Sequence, residues 1–193
     1  MRRRLLIVLT GLALALAAAG VAVALGGGKE SFVHRGGPVF NGLYDAEAVD
    51  RLAPRPGELL RLRGRTRPGL RAEVSVRRLA LPPYRGDVAG AFPLYADGHI
   101  RALRARFGGF DLLDEGKTRV SKAPGYQVGF RAGRPGARLE GRDLLAVAES
   151  GQREGVIIAL RQSRSRPLVE RDRDDLKAVR SAFRSLAFGT GRP

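Results

Sequence analysis

The sequence predicts an α+β fold: an antiparallel sheet flanked by helices, preceded by an N-terminal transmembrane or signal helix. Three observations predict it. Apolar and charged residues alternate with period two between Glu58 and Arg77, and apolar residues recur at helical spacing near Ile100 and again after Asp172. An uncharged apolar run, Leu5–Leu25, follows Met1-Arg2-Arg3-Arg4.

As a helix, the run Leu5–Leu25 would extend roughly 31 Å, close to the hydrocarbon thickness of a bilayer. Arg2, Arg3 and Arg4 precede it, whereas the next cations are Lys29 and Arg35. That bias keeps the N-terminus in the cytoplasm and puts the remaining chain outside. Two readings share these letters. One is an uncleaved signal-anchor, single-pass, with the lipid bilayer as partner of Leu5–Leu25. The other is a signal peptide cut after Ala17-Ala18-Ala19 or Ala22-Val23-Ala24, which would leave a secreted protein. No Cys follows, so a lipoprotein anchor is excluded.

Residues 1–28 are therefore the basic and apolar leader, 29–57 a linker, 58–189 an extracytoplasmic α+β domain and 190–193 a tail. The linker reading rests on Gly26-Gly27-Gly28, Gly36-Gly37-Pro38 and Pro54-Arg55-Pro56-Gly57. A short helix at Asp45–Leu52 would set Ala46, Val49 and Leu52 on one side.

Glu58–Thr66 alternates Leu60 and Leu62 with Arg61 and Arg63. Leu70–Arg77 alternates Leu70, Ala72, Val74 and Val76 with Arg71, Glu73, Ser75 and Arg77. Each predicts a half-buried strand, joined through a turn at Arg67-Pro68-Gly69. Inward residues must oppose inward residues, and the register that sets Leu62 against Val74 also sets Arg63 against Glu73. Leu79–Tyr95 reads as irregular. Asp97 reads as the N-cap of a helix carrying Ile100, Leu103 and Phe107, stopped by Gly108-Gly109.

Phe110–Val120 begins a strand region. Ala123-Pro124-Gly125 turns into a strand in which Tyr126, Val128 and Phe130 alternate with polar residues or glycine, and Gly133–Gly136 turns again. Arg142–Glu149 and Gly155–Gln162 form a hairpin of nearly continuous apolarity, as central strands under helices require. Asp172–Phe188 gives an amphipathic helix with Leu176, Val179, Phe183 and Leu186 on one stripe, ended by Gly189. Its first-turn acids, Asp172, Asp174 and Asp175, suit the helix dipole.

From Gly98 to Phe188 this order resembles the PsbP-like α/β family. The resemblance rests on a helix, a strand, then Ala123-Pro124-Gly125-Tyr126-Gln127-Val128-Gly129-Phe130. An apolar hairpin and a closing helix ending Ala182-Phe183-Arg184-Ser185-Leu186 complete it. The Trp often found near that family's start is missing. The resemblance implies an antiparallel sheet flanked by helices and a binding or accessory role, and it offers no catalytic residues to carry over.

The net charge is +16, and removing Arg2, Arg3 and Arg4 leaves about +13 outside the leader. Such charge would attract anionic lipid or an anionic envelope polymer. It also fits a coding bias, because only Lys29, Lys117, Lys122 and Lys177 are lysines. Arg61, Arg63, Arg65, Arg71 and Arg77 would share the outer face of the first hairpin and are the candidate binding residues.

No catalytic residues are assigned. His99 with Asp97 would make half of a base-and-orienter pair, but no nucleophile elbow accompanies it, so His99 reads as a first-turn helical residue that caps or faces solvent; His34 falls in the linker. Asp111, Asp114 and Glu115 lie beside Lys117 and Arg119, as on an ordinary charged edge. Metal-ligand spacing and phosphate-cradling glycine motifs are missing, so neither metal nor cofactor is expected. Arg85-Gly86-Asp87 is a three-letter match that chance supplies. The aromatics fall on apolar faces and the domain is expected outside the cytoplasm, which argues against nucleic acid. The expectation is a non-enzymatic accessory or interaction domain at the membrane, with a membrane or envelope protein as partner. The alternative is a surface domain binding anionic lipid or polymer through the arginine face.

Overall fold

The computed structural model describes residues 24–25, 28–81, 88–148 and 154–189. Most of the leader, the Arg85-Gly86-Asp87 triplet and the tail 190–193 lie outside the described residues. Among the described residues no helix is long and apolar enough to cross a membrane.

The main body is a seven-stranded antiparallel sheet. Its strands are β4 (Val49–Arg51), β5 (Glu58–Gly64), β6 (Leu70–Ala80), β7 (Asp111–Val120), β8 (Ala123–Arg134), β9 (Ala137–Val147) and β10 (Glu154–Arg164), in the spatial order β4-β5-β6-β10-β9-β8-β7. A smaller sheet holds β1 (Ala24–Leu25), β2 (Lys29–His34), β3 (Phe40–Asp45) and β11 (Ala187–Phe188), in the order β1-β2-β3-β11. Two helices, α1 (Val88–Arg106) and α2 (Glu170–Ser185), complete the α+β fold.

Period two on the strands decides which helix meets which residue. Leu62, Ala72, Val74, Val76, Ile158 and Leu160 point to one side and pack with Leu176, Val179 and Phe183 of α2. Tyr126, Val128, Phe130, Leu145 and Ile157 point to the other side and pack with Phe92, Ala96, Ile100 and Leu103 of α1. The apolar halves of β9 and β10 are therefore covered on both faces, and this explains their continuous apolarity. Each helix covers only part of its face: α1 lies on β8, whereas α2 lies on β3, β5, β6 and β10. The half-faces left open are diagonally opposed.

The expected pairing of the first hairpin is present, with Leu62 against Val74 and Arg63 against Glu73. So is the hairpin of β9 and β10, which pairs Ile157 with Leu145. The stripe Leu176, Val179, Phe183 and Leu186 is buried as expected. The helix itself stops earlier, at Ser185, because Leu186 turns extended and Ala187–Phe188 pair with Asn41 and Phe40 of β3.

Three expectations are corrected. Residues 29–51 are not a linker: β2, β3 and β4 are folded, with Phe32, Phe40, Tyr44 and Val49 buried in the α2-side core. The Gly36-Gly37-Pro38 punctuation serves the connection between β2 and β3, with a cis Gly37–Pro38 bond. The helix expected at Asp45–Leu52 is a turn followed by β4, because Asp45 Oδ1 accepts the Glu47 N–H at 2.9 Å and Val49 pairs with Gly64. Ala24–Leu25, the end of the apolar run, is extended and pairs with Glu30 and Lys29.

The helix expected from Asp97 begins at Val88 instead. Phe92 and Ala96 extend the stripe of Ile100 and Leu103 by two turns, and this burial outweighs Pro93 within the helix. Asp97 is not a cap but a surface residue, paired with Arg101 at 3.2 Å.

Candidate functional site, an arginine-lined concavity

The face of β5 and β6 turned away from α2 carries Arg61, Arg63, Arg71, Glu73, Ser75 and Arg77. No part of α1 reaches far enough to cover it. The open ground is a concavity of about 460 Å³. Arg55 and Glu58 close it on the β5 side, Arg106 and Phe107 close it from the end of α1, and Arg161 rises from β10.

One carboxylate anchors this cluster. Glu73 Oε2 accepts from Arg61 Nη2 at 3.1 Å and from Arg71 Nη2 at 2.8 Å. Arg63 Nε lies 3.7 Å from the same oxygen, and Arg55 Nη1 lies 3.5 Å from Oε1. Burial alone would push the Glu73 carboxyl up, but hydrogen bonds and charge from Arg61 and Arg71 overcome it and hold it at about 2. Four guanidiniums facing one carboxylate leave a local excess of positive charge. Arg61 Nε and Arg63 Nε are, in addition, buried donors without a hydrogen-bond partner.

The cation on β10 is fixed differently. Arg161 grips Asp143 through both terminal nitrogens, Nη1 to Oδ1 and Nη2 to Oδ2, the latter at 2.8 Å. Its guanidinium carbon stands 4.9 Å from the Phe130 ring centroid and 5.9 Å from that of Phe107. Asp143 is fully buried, and His99 Nε2 meets its Oδ2 at 2.6 Å. Burial pushes the Asp143 carboxyl up, while the hydrogen bonds from His99 and Arg161 outweigh it and hold the group below its ordinary range. His99 was expected to cap the helix or face solvent, and the structure instead turns it onto Asp143. Residues two apart on a helix diverge by about 200°, so Asp97 faces solvent while His99 turns to the sheet.

Of the five arginines expected on one face, Arg61, Arg63, Arg71 and Arg77 are brought together around Glu73 and the concavity. Arg65 is not. It lies past the end of β5, where Asp50 Oδ1 accepts from its Nε at 2.6 Å and the Glu47 carbonyl from its Nη1 at 3.2 Å. Sequence reasoning missed Arg55, Arg106 and Arg161. Arg161 opposes Glu73 in the β10–β6 pairing, a neighbour relation between strands far apart in the chain. The acidic trio does not converge: Asp114 pairs with Arg142 at 3.0 Å on one face of the sheet, while Glu115 meets the Tyr126 hydroxyl at 3.4 Å on the other. Among the described residues no group of three His, Asp or Glu could hold a metal ion.

A second hollow, about 540 Å³, occupies the diagonal half-face beside α2 and is lined by Arg119, Arg142, Arg180 and Arg184 among others. Three of its five guanidiniums have side-chain or carbonyl partners. Arg142 meets Asp114 and Gln127, Arg180 donates to Gln162, and Arg119 donates to the Lys122 carbonyl. The β5–β6 concavity is the one with surplus charge focused on a single carboxylate.

No family model and no curated protein matches the chain. Among solved structures it is similar to LpqN of Mycobacterium tuberculosis, described as involved in cell envelope biogenesis. The identity is 11%, over 85% of this chain and 93% of that one, with a TM-score of 0.55. It is also similar to the PsbP of the cyanobacterium Synechocystis, at 15% identity over 88% and 98% of the two chains, with a TM-score of 0.49. The likeness to LpqN is a likeness of fold.

Proposed function

We propose that this protein is a non-enzymatic accessory domain, held on the outer side of a membrane, that binds a polyanionic envelope component through the β5–β6 concavity. The observation that carries the reading is the convergence of Arg55, Arg61, Arg63 and Arg71 on the single carboxylate of Glu73, with Arg77, Arg106 and Arg161 on the same rim. A guanidinium offers a planar fork that matches carboxylate or phosphate oxygens in pairs. Clustered on an open concavity, several such forks favour a ligand with many anionic groups over a single ion. Support for the location comes from the basic and apolar leader, Arg2–Leu25, which reads as an export signal or anchor. His99 and Asp143 together hold Arg161 in place at the rim.

The test is binding of the full chain to phosphatidylglycerol vesicles and to polyphosphate across a salt series, with phosphatidylcholine vesicles as control. Binding should weaken steeply with salt, since exposed charges are screened beyond about 8 Å at physiological ionic strength. It should be lost when Arg71, Arg77 and Arg106 are all replaced by Ser. Undiminished binding by that triple variant would remove the concavity from the function.

A further inference from the structure

The seven-stranded sheet ends on β7, a ten-residue strand whose only strand partner among the described residues is β8. Its outer row of N–H and C=O groups is therefore available to another strand. Edges of this length are usually blunted by charge, because a copy laid alongside would meet its own repulsion. The charges of β7 are ordered differently. Asp111, Asp114 and Glu115 precede Gly116, and Lys117 and Arg119 follow it. Laid antiparallel on itself, the acidic half meets the basic half.

We propose that β7 pairs antiparallel with β7 of a second copy of this chain, about a two-fold axis at Gly116, joining the two sheets edge to edge. Strand geometry restricts the choices. Side chains opposed across an antiparallel pair must project to the same face, so a two-fold axis normal to the sheet has to fall on a residue. Centring on Glu115 sets that carboxylate against its own copy, and centring on Lys117 does the same with an ammonium. Centring on Gly116 sets Glu115 against Lys117 twice, once on each side of the axis.

The remaining pairs agree with that register. Asp114 meets Thr118, and the regular stretch ends there, because β7 bulges between Leu112 and Asp114. Arg119 stands diagonal to Glu115 of the second copy, within reach of its carboxylate. Among the described residues neither Glu115 nor Lys117 takes part in an ion pair within its own chain. Gly116 leaves room at the axis, because a Cβ added there meets nothing within 4 Å. The contact is isologous and closes on itself, so it yields dimers and not filaments.

The chain has no cysteine, which permits a direct test in the full-length protein in non-ionic detergent. Gly116→Cys should form an inter-chain disulfide on mild oxidation, since the two thiols face each other at the axis. Thr118→Cys should not, because its copies are offset by four residues, about 13 Å along the strands. Lys117→Glu puts like charges at both crossings and should raise the dimer dissociation constant, read by sedimentation, at least tenfold. Glu115→Lys combined with Lys117→Glu restores both pairs and should return the constant to within about threefold of wild type. A wild-type chain that stays monomeric, equal crosslinking at 116 and 118, or a double exchange that fails to restore association would each overturn the proposal. A dimer formed through the leader segment would survive Lys117→Glu unchanged, which also overturns it.

Discussion

His99, on α1, closes to 2.6 Å on Asp143, a fully buried carboxylate on β9 that lies 44 residues further along the chain. The contact bolts the helix to the sheet, and Arg161 completes it from β10. Removing the shared acceptor leaves two donors without a partner in a region of low solvent access.

Asp143→Ala should therefore cost about 3–5 kcal/mol in denaturant unfolding, the range for breaking a buried charge pair by deleting one partner. His99→Ala should cost less, because Arg161 still satisfies both carboxylate oxygens. Equal costs for the two would show that the helix contact, and not the charge, dominates.

Glu73 predicts a pH dependence. Its folded carboxyl sits at about 2 against an ordinary 4.5, so the unfolded chain takes up the proton first as acid is added. The stabilisation is complete above pH 4.5 and is lost progressively between pH 4.5 and 2. Urea midpoints measured across that window should fall for wild type and flatten for Glu73→Gln. The same variant should bind polyphosphate more tightly at neutral pH, because Arg61 and Arg71 no longer answer an internal acid.

Arg65 and Arg71 separate position from mere charge. Both substitutions to Ser remove one cation, yet Arg65 is tied to Asp50 away from the concavity while Arg71 lines it. Arg71→Ser should weaken binding to phosphatidylglycerol vesicles several-fold and reduce its salt dependence, with Arg65→Ser close to wild type. Equal losses would point to net charge alone.

At Gly64, β5 runs close against α2: a Cβ built there would meet Val179 Cγ2 at 2.6 Å. Val179 is fully buried, so it cannot step aside cheaply. Gly64→Ala should destabilise by about 1–3 kcal/mol through overpacking. Gly116→Ala, in open space, should have little effect. Thermal unfolding of both compares them directly.

Local pattern was the legible part of this fold. The Leu62–Val74 and Arg63–Glu73 pairing followed from alternation, and the β9–β10 hairpin and the closing helix followed from apolar spacing, because each signal is complete within a short window. The segment from Lys29 to Arg51 misled because Gly and Pro mark turns inside a sheet as readily as they mark linkers. The start of α1 was hidden by Pro93, a residue that local reasoning reads as a break. Four of the five candidate arginines converge as their strand parity required. Arg161 and its hold on Asp143 were illegible, since they depend on β10 lying between β6 and β9, and strand order is not written in any local window.

The pairing of Ala187–Phe188 with β3, together with the Asn41 Nδ2 bond to the Gly189 carbonyl at 2.7 Å, joins residues 148 positions apart. During synthesis β2 and β3 emerge early and must wait for that strand to arrive. Until residues 187–189 have been made, Phe40 and Asn41 present an unpaired, partly apolar ribbon, the kind of surface that chaperones and proteases read. A chain terminated before Ala187 would lack both the β3 pairing and the Asn41–Gly189 bond, and would leave one edge of β3 without its strand partner.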